Sequence, residues 1–386
     1  MARYLKDFII KDLERKMVFL GGPRQVGKTT LCNIISKHFH PSAYLNWDID
    51  ENKSMIRQKK WSREATLVTF DELHKYARWK QWIKGVYDSK IEHQRYLVTG
   101  SAKLDVYKRD GDSLLGRYHY WRLHPFTLDE LPESINTNEA YERLLTVGGF
   151  PEPFIQNDIR EARRWRAERF SRILKEDVRE LTHIHEISLL DMLIEALRER
   201  VSGLIVYANL AEDLLLSPHT IKNWISLIER MYIGFTITPY TKNIFRSIQK
   251  PKKMYFYDNA DCVEDRAIRL ENLVATHLLK RLHFIEDYFG YRCALHYIRD
   301  RDEREVDFVT VIDKKVMELI EVKWSDEKPS SALKYYQEKL SPKKTIQIVG
   351  NIKNSYLHKD ILVTSPIHYF KSPPWETFLD PIKESS

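Results

Sequence analysis

Apolar and polar residues first alternate in blocks along the chain. Met17-Val18-Phe19-Leu20 is a short apolar run of the kind a buried strand makes. Behind it Leu31, Ile34, Ile35 and Phe39 recur at helical spacing. Further strand-like runs lie at 43–46, 66–70, 96–99 and 118–123, with helical stretches between them. Strands alternating with helices predict an α/β domain over residues 1–150, a mostly parallel sheet with helices on both faces. Gly148-Gly149-Phe150-Pro151-Glu152-Pro153 then reads as a domain boundary, and a long charged helix is expected from Asp158 to about Leu181.

From 188 to 258 the pattern changes. Leu189, Met192, Leu193 and Leu197 give one helical face, and Leu210–Leu216 closes a short second helix. Ser217-Pro218-His219-Thr220 turns into a third helix running to Met231. Two helices joined by a tight turn predict a helix-turn-helix, and the strand-like runs 235–238 and 254–257 would make its wing. Residues 151–260 are therefore read as a helical linker and a winged-helix domain. Within 261–386, Glu305–Ile312 and Val316–Lys323 read as two strands turning at Lys314-Lys315, preceded by a helix that carries Glu271.

The candidate chemistry begins at the end of the first strand. Residues 21–30, GGPRQVGKTT, hold the phosphate-loop pattern Gly22-x4-Gly27-Lys28-Thr29. The glycines let backbone N–H groups approach phosphate oxygens. Lys28 suits the β- and γ-phosphates and Thr29 a Mg²⁺ ion, and the following helix aims its positive dipole end at the same anion. Pro23, Arg24, Gln25, Val26 and Thr30 complete the cradle expected for ATP or ADP. The run Ala65–Phe70 ends in Asp71-Glu72, the acidic pair of a Walker B strand. Asp71 is expected to hold Mg²⁺ through water and Glu72 to deprotonate the attacking water. The strand at 96–99 leads to Ser101; either Ser101 or Thr99 senses the γ-phosphate there, or the segment is a plain turn.

Two further sets of residues carry chemistry. On the third helix, Ile221, Trp224, Ile225 and Ile228 face inward, while His219, Lys222, Asn223, Ser226 and Arg230 lie opposite. Those polar types suit phosphate and base-edge contacts in a DNA major groove. Residues 240–253 add five basic residues and no acid, Lys250, Lys252 and Lys253 among them. The alternative is a winged helix used for packing or dimerisation. In the last segment, Glu271, Asp307, Glu321 and Lys323 form the set of a metal-dependent nuclease, with the carboxylates on Mg²⁺ and Lys323 activating water. Two other readings stand beside cleavage: a nuclease-like domain that binds without cutting, and a hairpin with cross-strand ion pairs.

Composition narrows the setting. A chain of 386 residues with 43% hydrophobic and 30% charged residues suits a soluble protein of several domains. Three scattered cysteines (Cys32, Cys262, Cys293) form no CxxC pair, which favours a reducing compartment over a structural zinc site. The N-terminus reads as a charged amphipathic helix without a signal-peptide core, and no run is long enough to span a bilayer. A cytoplasmic protein with no membrane partner is expected. The net charge of +7 favours an anionic partner only where it is concentrated.

Taken in order, these motifs resemble the archaeal and bacterial P-loop ATPases that combine an AAA-like N-terminal domain, a winged helix and a C-terminal PD-(D/E)XK restriction-endonuclease-like domain. The resemblance rests on GGPRQVGKTT (21–30), TFDELHK (69–75), LVTGSA (97–102), LLGRYHYWRLHPFTLDEL (114–131), GGFPEP (148–153), EVDFV (305–309) and IEVKWS (320–325). It implies ATP binding by Lys28 and Thr29, Mg²⁺ and water handling by Asp71 and Glu72, and a sensor at Ser101. By position, Arg117 is either an arginine that contacts the γ-phosphate, from its own subunit or from a neighbour in a homo-oligomer, or a residue paired with an acid on a loop. The expected protein is an ATPase that binds DNA, with a nuclease-like C-terminal domain. The alternative is a nucleotide-operated regulatory switch whose C-terminal domain binds a partner without cleaving nucleic acid.

Overall fold

The computed structural model describes residues 3–101, 114–132, 134–177, 187–241, 250–325 and 328–373. The chain divides into two compact units. One comprises Met1–His124, Arg169–His183 and Arg230–Tyr232; the other comprises Pro125–Glu168, Ile184–Glu229 and Ile233–Ser386.

The first unit opens with helix α1 (Lys6–Leu13), which buries Ile9 and Leu13. Strand β1 (Met17–Gly21) follows, then α2 (Lys28–Ser36), β2 (Ser42–Asn46), α3 (Asp50–Gln58), β3 (Leu67–Asp71), α4 (Trp79–Asp88), β4 (Arg95–Gly100) and β5 (Tyr118–Arg122). The five strands are parallel and lie in the order β2-β3-β4-β1-β5. Every residue of β1 and β3 is buried, which is why both read as largely apolar runs, broken in β3 by Thr69 and Asp71, rather than as alternating ones. This sheet with its helices fits the α/β fold of a P-loop nucleoside triphosphatase. Its architecture carries the carboxyl ends of β1, β3 and β4 to one edge, where ligands of parallel sheets bind.

The second unit holds α5 (Thr137–Thr146), α6 (Pro151–Gln156) and α7 (Ile159–Arg172), the last reaching into the first unit's residues and ending in a π turn (Ile173–Asp177). Residues 178–181, expected to continue that helix, lie outside the described residues. The glycine–proline run at 148–153 is not a loose boundary. Gly149 accepts a hydrogen bond from the Phe126 N–H at 2.7 Å, and Phe150 and Phe154 are buried. The chain passes between the two units five times, first at His124 and Pro125.

Next come α8 (Ile187–Arg198), β6 (Leu204–Ile205), α9 (Tyr207–Asp213), α10 (Pro218–Arg230), β7 (Gly234–Pro239) and β8 (Lys252–Phe256). Strand β8 pairs antiparallel with both β6 and β7. Ser217 caps α10, its hydroxyl accepting from the Thr220 N–H at 3.0 Å. Helix α11 (Arg266–Phe289) starts at an Asp265 cap that accepts from Ala267 and Ile268 N–H groups at 2.8 and 3.0 Å. After it come β9 (Cys293–Arg299), β10 (Glu305–Ile312), β11 (Lys315–Lys323), α12 (Ser331–Leu340), β12 (Lys344–Val349), β13 (Tyr356–His358), β14 (Ile361–Thr364) and α13 (Pro366–Phe370).

Strands β9, β10 and β11 form an antiparallel meander, and β12 joins β11 in parallel across α12. Because β7 also pairs with β9, one nine-stranded sheet runs β13-β14-β12-β11-β10-β9-β7-β8-β6. The segments divided by sequence at residue 260 thus share a sheet.

Candidate functional site

The phosphate loop leaves β1 through a bend that only glycine fits. Gly22 has φ of +154°, and a Cβ there would stand 2.4 Å from the Leu123 carbonyl oxygen. Gly27, at φ +97°, then turns the chain into α2. Lys28 is buried, and its ammonium donates to the carbonyls of Gly22 at 2.9 Å and Pro23 at 2.8 Å. The lysine expected to meet phosphate therefore also braces its own loop. Arg3 adds a second brace, donating to the Val26 carbonyl at 2.7 Å.

Asp71 ends β3 with its carboxylate saturated. Oδ1 accepts from the Thr99 hydroxyl and from the Glu72 N–H at 3.1 Å. Oδ2 accepts from Thr29 Oγ1 at 3.0 Å and from the Tyr44 hydroxyl. Burial and the Asp71 charge push the Tyr44 phenol well above its ordinary range. Thr29 and Asp71 are both oxygen donors, brought together at the loop, and they fit a hard cation such as Mg²⁺.

Glu72 holds a left-handed backbone, φ 55°, unusual for a residue other than glycine. Its carboxylate accepts from Ser101 Oγ at 3.0 Å and lies 3.5 Å from His74 Nδ1. Burial lowers the His74 pKa, and Glu72 opposes that shift. The two residues weighed as γ-phosphate sensors thus divide their duties: Thr99 restrains Asp71 and Ser101 restrains Glu72.

Arg117 is elsewhere. Tyr118 pairs with Met17 and Arg122 with Gly21, so Arg117 precedes the amino end of β5 while the phosphate loop leaves the carboxyl end of β1. Four residues of strand, ~13 Å, separate the two ends. Arg117 Nε donates to Asp88 Oδ1 at 2.7 Å, an acid at the end of α4. A contact with phosphate in the same chain is ruled out by this register.

In the second unit, Asp307 of β10 lies within electrostatic reach of both Glu271 of α11 and Glu321 of β11. Burial, then the Glu271 charge, pushes the Asp307 carboxyl up to about 8. Asp307 Oδ2 accepts from the Val322 N–H at 2.8 Å. Lys323 Nζ lies 3.4 Å from Glu321 Oε1.

The unexpected member is Lys253 on β8. Its ammonium is 4% exposed, pairs closely with Glu305, and lies 3.7 Å from Glu271 Oε1. Burial alone would lower the Lys253 pKa, but Glu271, Asp307 and Glu305 outweigh it and raise it. Tyr255 donates to Glu271 at 2.8 Å. Among the described residues no group of three or more His, Cys, Asp or Glu is arranged to hold a metal ion. As it stands, the cluster does not fit the Mg²⁺ set of Glu271, Asp307 and Glu321; an ammonium supplies the positive charge.

That geometry also removes Lys253 from the expected DNA contacts. Alternation along β8 sends Lys253 and Tyr255 toward the acids. Lys252 is half-buried and donates to Thr236 at 3.4 Å, while Lys250 is exposed; residues 242–249 lie outside the described residues. On α10, Ile221, Trp224, Ile225 and Ile228 are buried and His219, Lys222, Asn223 and Ser226 are exposed together.

Tyr44 escaped the sequence reading and Lys253 was given another role there because their partners are distant along the chain, while His74, two residues from Glu72, was passed over within its own motif. Lys253 left a local signal, its place at alternate positions with Tyr255 and Tyr257 in a run of buried aromatics.

Three segments of the chain match known family models. Residues 14–132 match a family model described as an AAA domain. Residues 138–262 and 269–370 match two domains of unknown function, DUF8612 and DUF4143. The chain is 24% identical over 243 residues to the uncharacterized proteins Rv2008c of Mycobacterium tuberculosis and Mb2031c of Mycobacterium bovis, covering 63% of this chain and 54% of each relative. It is 23% identical to uncharacterized protein MJ1637 of Methanocaldococcus jannaschii, covering 65% of this chain and 62% of that one. The chain thus spans about half the length of its mycobacterial relatives. Among solved structures it is similar to a Walker-type ATPase of Pyrococcus abyssi (15% identity, TM-score 0.43, 69% of this chain and 95% of that one). It is also similar to a STAND signal-transduction ATPase with a tetratricopeptide repeat sensor from Pyrococcus horikoshii (11% identity, TM-score 0.24, 75% and 48%). The first unit carries an AAA-like P-loop ATPase domain. No helix among the described residues is long and apolar enough to cross a membrane.

Proposed function

We propose that the protein is an ATP-binding and ATP-hydrolysing machine that binds DNA through α10. The observation that carries the first half is the convergence of Lys28, Thr29, Asp71, Glu72 and Ser101 at one sheet edge. Lys28 and the loop from Gly22 to Thr30 would hold the phosphates, and Thr29 and Asp71 would hold Mg²⁺. When bound, that ion neutralises charge on the transferring phosphoryl group. Glu72 takes the proton of the attacking water, and Ser101 holds its carboxylate until nucleotide arrives. An arginine at 117 takes part only if it comes from a neighbouring subunit of a homo-oligomer.

The DNA half is supported by the order α8-β6-α9-α10-β7-β8 with β8 between β6 and β7, the order of a winged helix. The solvent face His219–Lys222–Asn223–Ser226 on its last helix supplies the contacts. The succession α11-β9-β10-β11-α12-β12 supports a restriction-endonuclease-like C-terminal domain.

Lys253 favours a second reading of that domain. With an ammonium among the acids, the C-terminal part binds a partner or nucleic acid without cutting, and ATP state governs the engagement. The protein is then a nucleotide-operated switch.

Fluorescent-nucleotide binding and phosphate release by wild type and Lys28→Ala test the core proposal. The variant should lose both. It should also lose ~1–3 kcal/mol of stability, because two loop carbonyls lose a charged donor. Hydrolysis retained in Lys28→Ala would overturn the ATPase assignment.

A further inference from the structure

An ionised carboxylate offers about four lone-pair sites on its two oxygens. Asp71 fills all four: Thr99 and the Glu72 N–H on Oδ1, Thr29 and Tyr44 on Oδ2. A Mg²⁺-bound water that is to donate to Asp71 must displace one of these donors. Thr99 is fully buried on β4, and the Glu72 N–H is backbone fixed by the chain. Both surviving candidates sit on Oδ2. Thr29 need not leave, because its oxygen can ligate the ion through a lone pair while its O–H still donates to Asp71. Tyr44 has no such role. It belongs to the sheet-edge strand β2, two residues before Asn46, which pairs with Asp71, so its ring stands on the same face as that carboxylate. Its side chain is partly open to solvent, 38% exposed, and has room to swing out.

We propose that Tyr44 gates cation entry to the phosphate site: its hydroxyl stands on Asp71 beside Thr29, where a Mg²⁺-bound water would stand, and Mg²⁺ binds only as the phenol withdraws. This rests on the reading of residues 22–30 as a nucleotide site. Nucleotide without metal makes no demand on Asp71, so its binding is indifferent to Tyr44. Binding of the ion carries the cost of breaking the Tyr44–Asp71 hydrogen bond. Tyr44→Phe keeps the ring and removes the donor.

The test uses the full chain. Affinity for a fluorescent ATP analogue is measured in EDTA, and Mn²⁺ affinity of the nucleotide-bound protein is measured by electron paramagnetic resonance. Tyr44→Phe should match wild type in EDTA and bind Mn²⁺ about tenfold more tightly, which corresponds to ~1.4 kcal/mol. Equal Mn²⁺ affinity would overturn the gate. Weaker Mn²⁺ binding in the variant would overturn it too, by making the phenol a helper of the ion. Tyr44→Leu, which also lacks the donor, should reproduce the tightening; a gain confined to Phe would assign the effect to ring packing and refute the gate. Absence of nucleotide binding to either protein in EDTA would instead remove the nucleotide reading itself, and the gate with it.

Discussion

Replacing Lys253 with Met asks what the C-terminal acids are for. In wild type the ammonium, 4% exposed, pairs with Glu305 and lies 3.7 Å from Glu271, with Asp307 also in its field. Met keeps the aliphatic stem and deletes the charge, leaving three carboxylates without their internal cation. Removing one partner of a buried pair costs ~3–5 kcal/mol. For a unit of this size that lowers the unfolding midpoint on the order of 10 °C. The acids can partly escape by taking up protons, so the sign with pH is fixed. Asp307 is already pushed up to about 8, far above an unfolded carboxyl. Ionisation of such a group is resisted only in the folded state, so stability is lost as pH rises from about 4 through about 8 and is lost in full above that. Lys253→Met raises the folded-state pKa further, and its deficit against wild type should therefore widen with pH.

If the acids bind a divalent cation once the ammonium is gone, that ion replaces its charge. At a concentration one hundred times its dissociation constant, Mn²⁺ would restore ~2.7 kcal/mol to the variant. The assay is thermal unfolding against Mn²⁺ concentration at two pH values, for wild type and Lys253→Met. A variant as stable as wild type would refute the counter-ion role. A destabilised variant that Mn²⁺ leaves unchanged would refute the idea that these acids retain a metal-binding geometry beneath the lysine.

Other expectations follow from single contacts. Wild-type protein should leave single- and double-stranded DNA uncut with Mg²⁺ or Mn²⁺, with or without ATP; cleavage that Lys323→Ala abolishes would make the acid cluster catalytic after all. Lys222→Ala should weaken DNA binding and lower the salt slope by ~1, as loss of one phosphate contact does; an unchanged slope in an electrophoretic or anisotropy titration would take α10 out of the interface. His277 donates from Nδ1 to the Leu273 carbonyl at 2.7 Å and accepts the Leu128 N–H at 2.9 Å on Nε2, and burial pushes its pKa down to about 3. Such a depressed group contributes stability above pH 6.5 that is lost as pH falls towards 3. Between pH 7.5 and 5 that loss is ~2 kcal/mol, and it should be missing from His277→Gln in denaturant titrations; parallel pH curves for the two proteins would refute the assignment.

The first unit was the more legible in sequence because its inner strands β1, β3 and β4 are buried almost throughout and announce themselves as largely apolar runs, as in Met17–Gly21. Its glycines and lysine answer to a local rule of spacing, so the loop could be read without any long-range knowledge. Arg117 shows where locality fails: its distance from the loop is fixed by the register of β5 on β1, which no spacing reveals. Lys253 failed for a related reason. A basic run suggested a surface charge, while the acids that draw it inward lie on α11 and β10. The strands β9, β12, β13 and β14 were not marked out in sequence. Three of them are short, and Cys293–Arg299 has one clearly exposed end and a broken alternation.

Because Thr238 and Pro239 of β7 pair in parallel with His296 and Tyr297 of β9, a hydrogen-bonded ladder crosses the sequence position where the chain changes from one recognised domain to the next. The Tyr240 N–H donates to the Tyr297 carbonyl at 2.7 Å, and the Tyr297 hydroxyl donates to the Pro251 carbonyl at 2.6 Å. Gene shuffling that joined the C-terminal domain to a foreign partner would cut that ladder, expose an edge strand and strand Glu271 and Glu305 without Lys253. The two segments therefore depend on one another, for the pairing of β7 with β9 and for the charge of Lys253 among the acids.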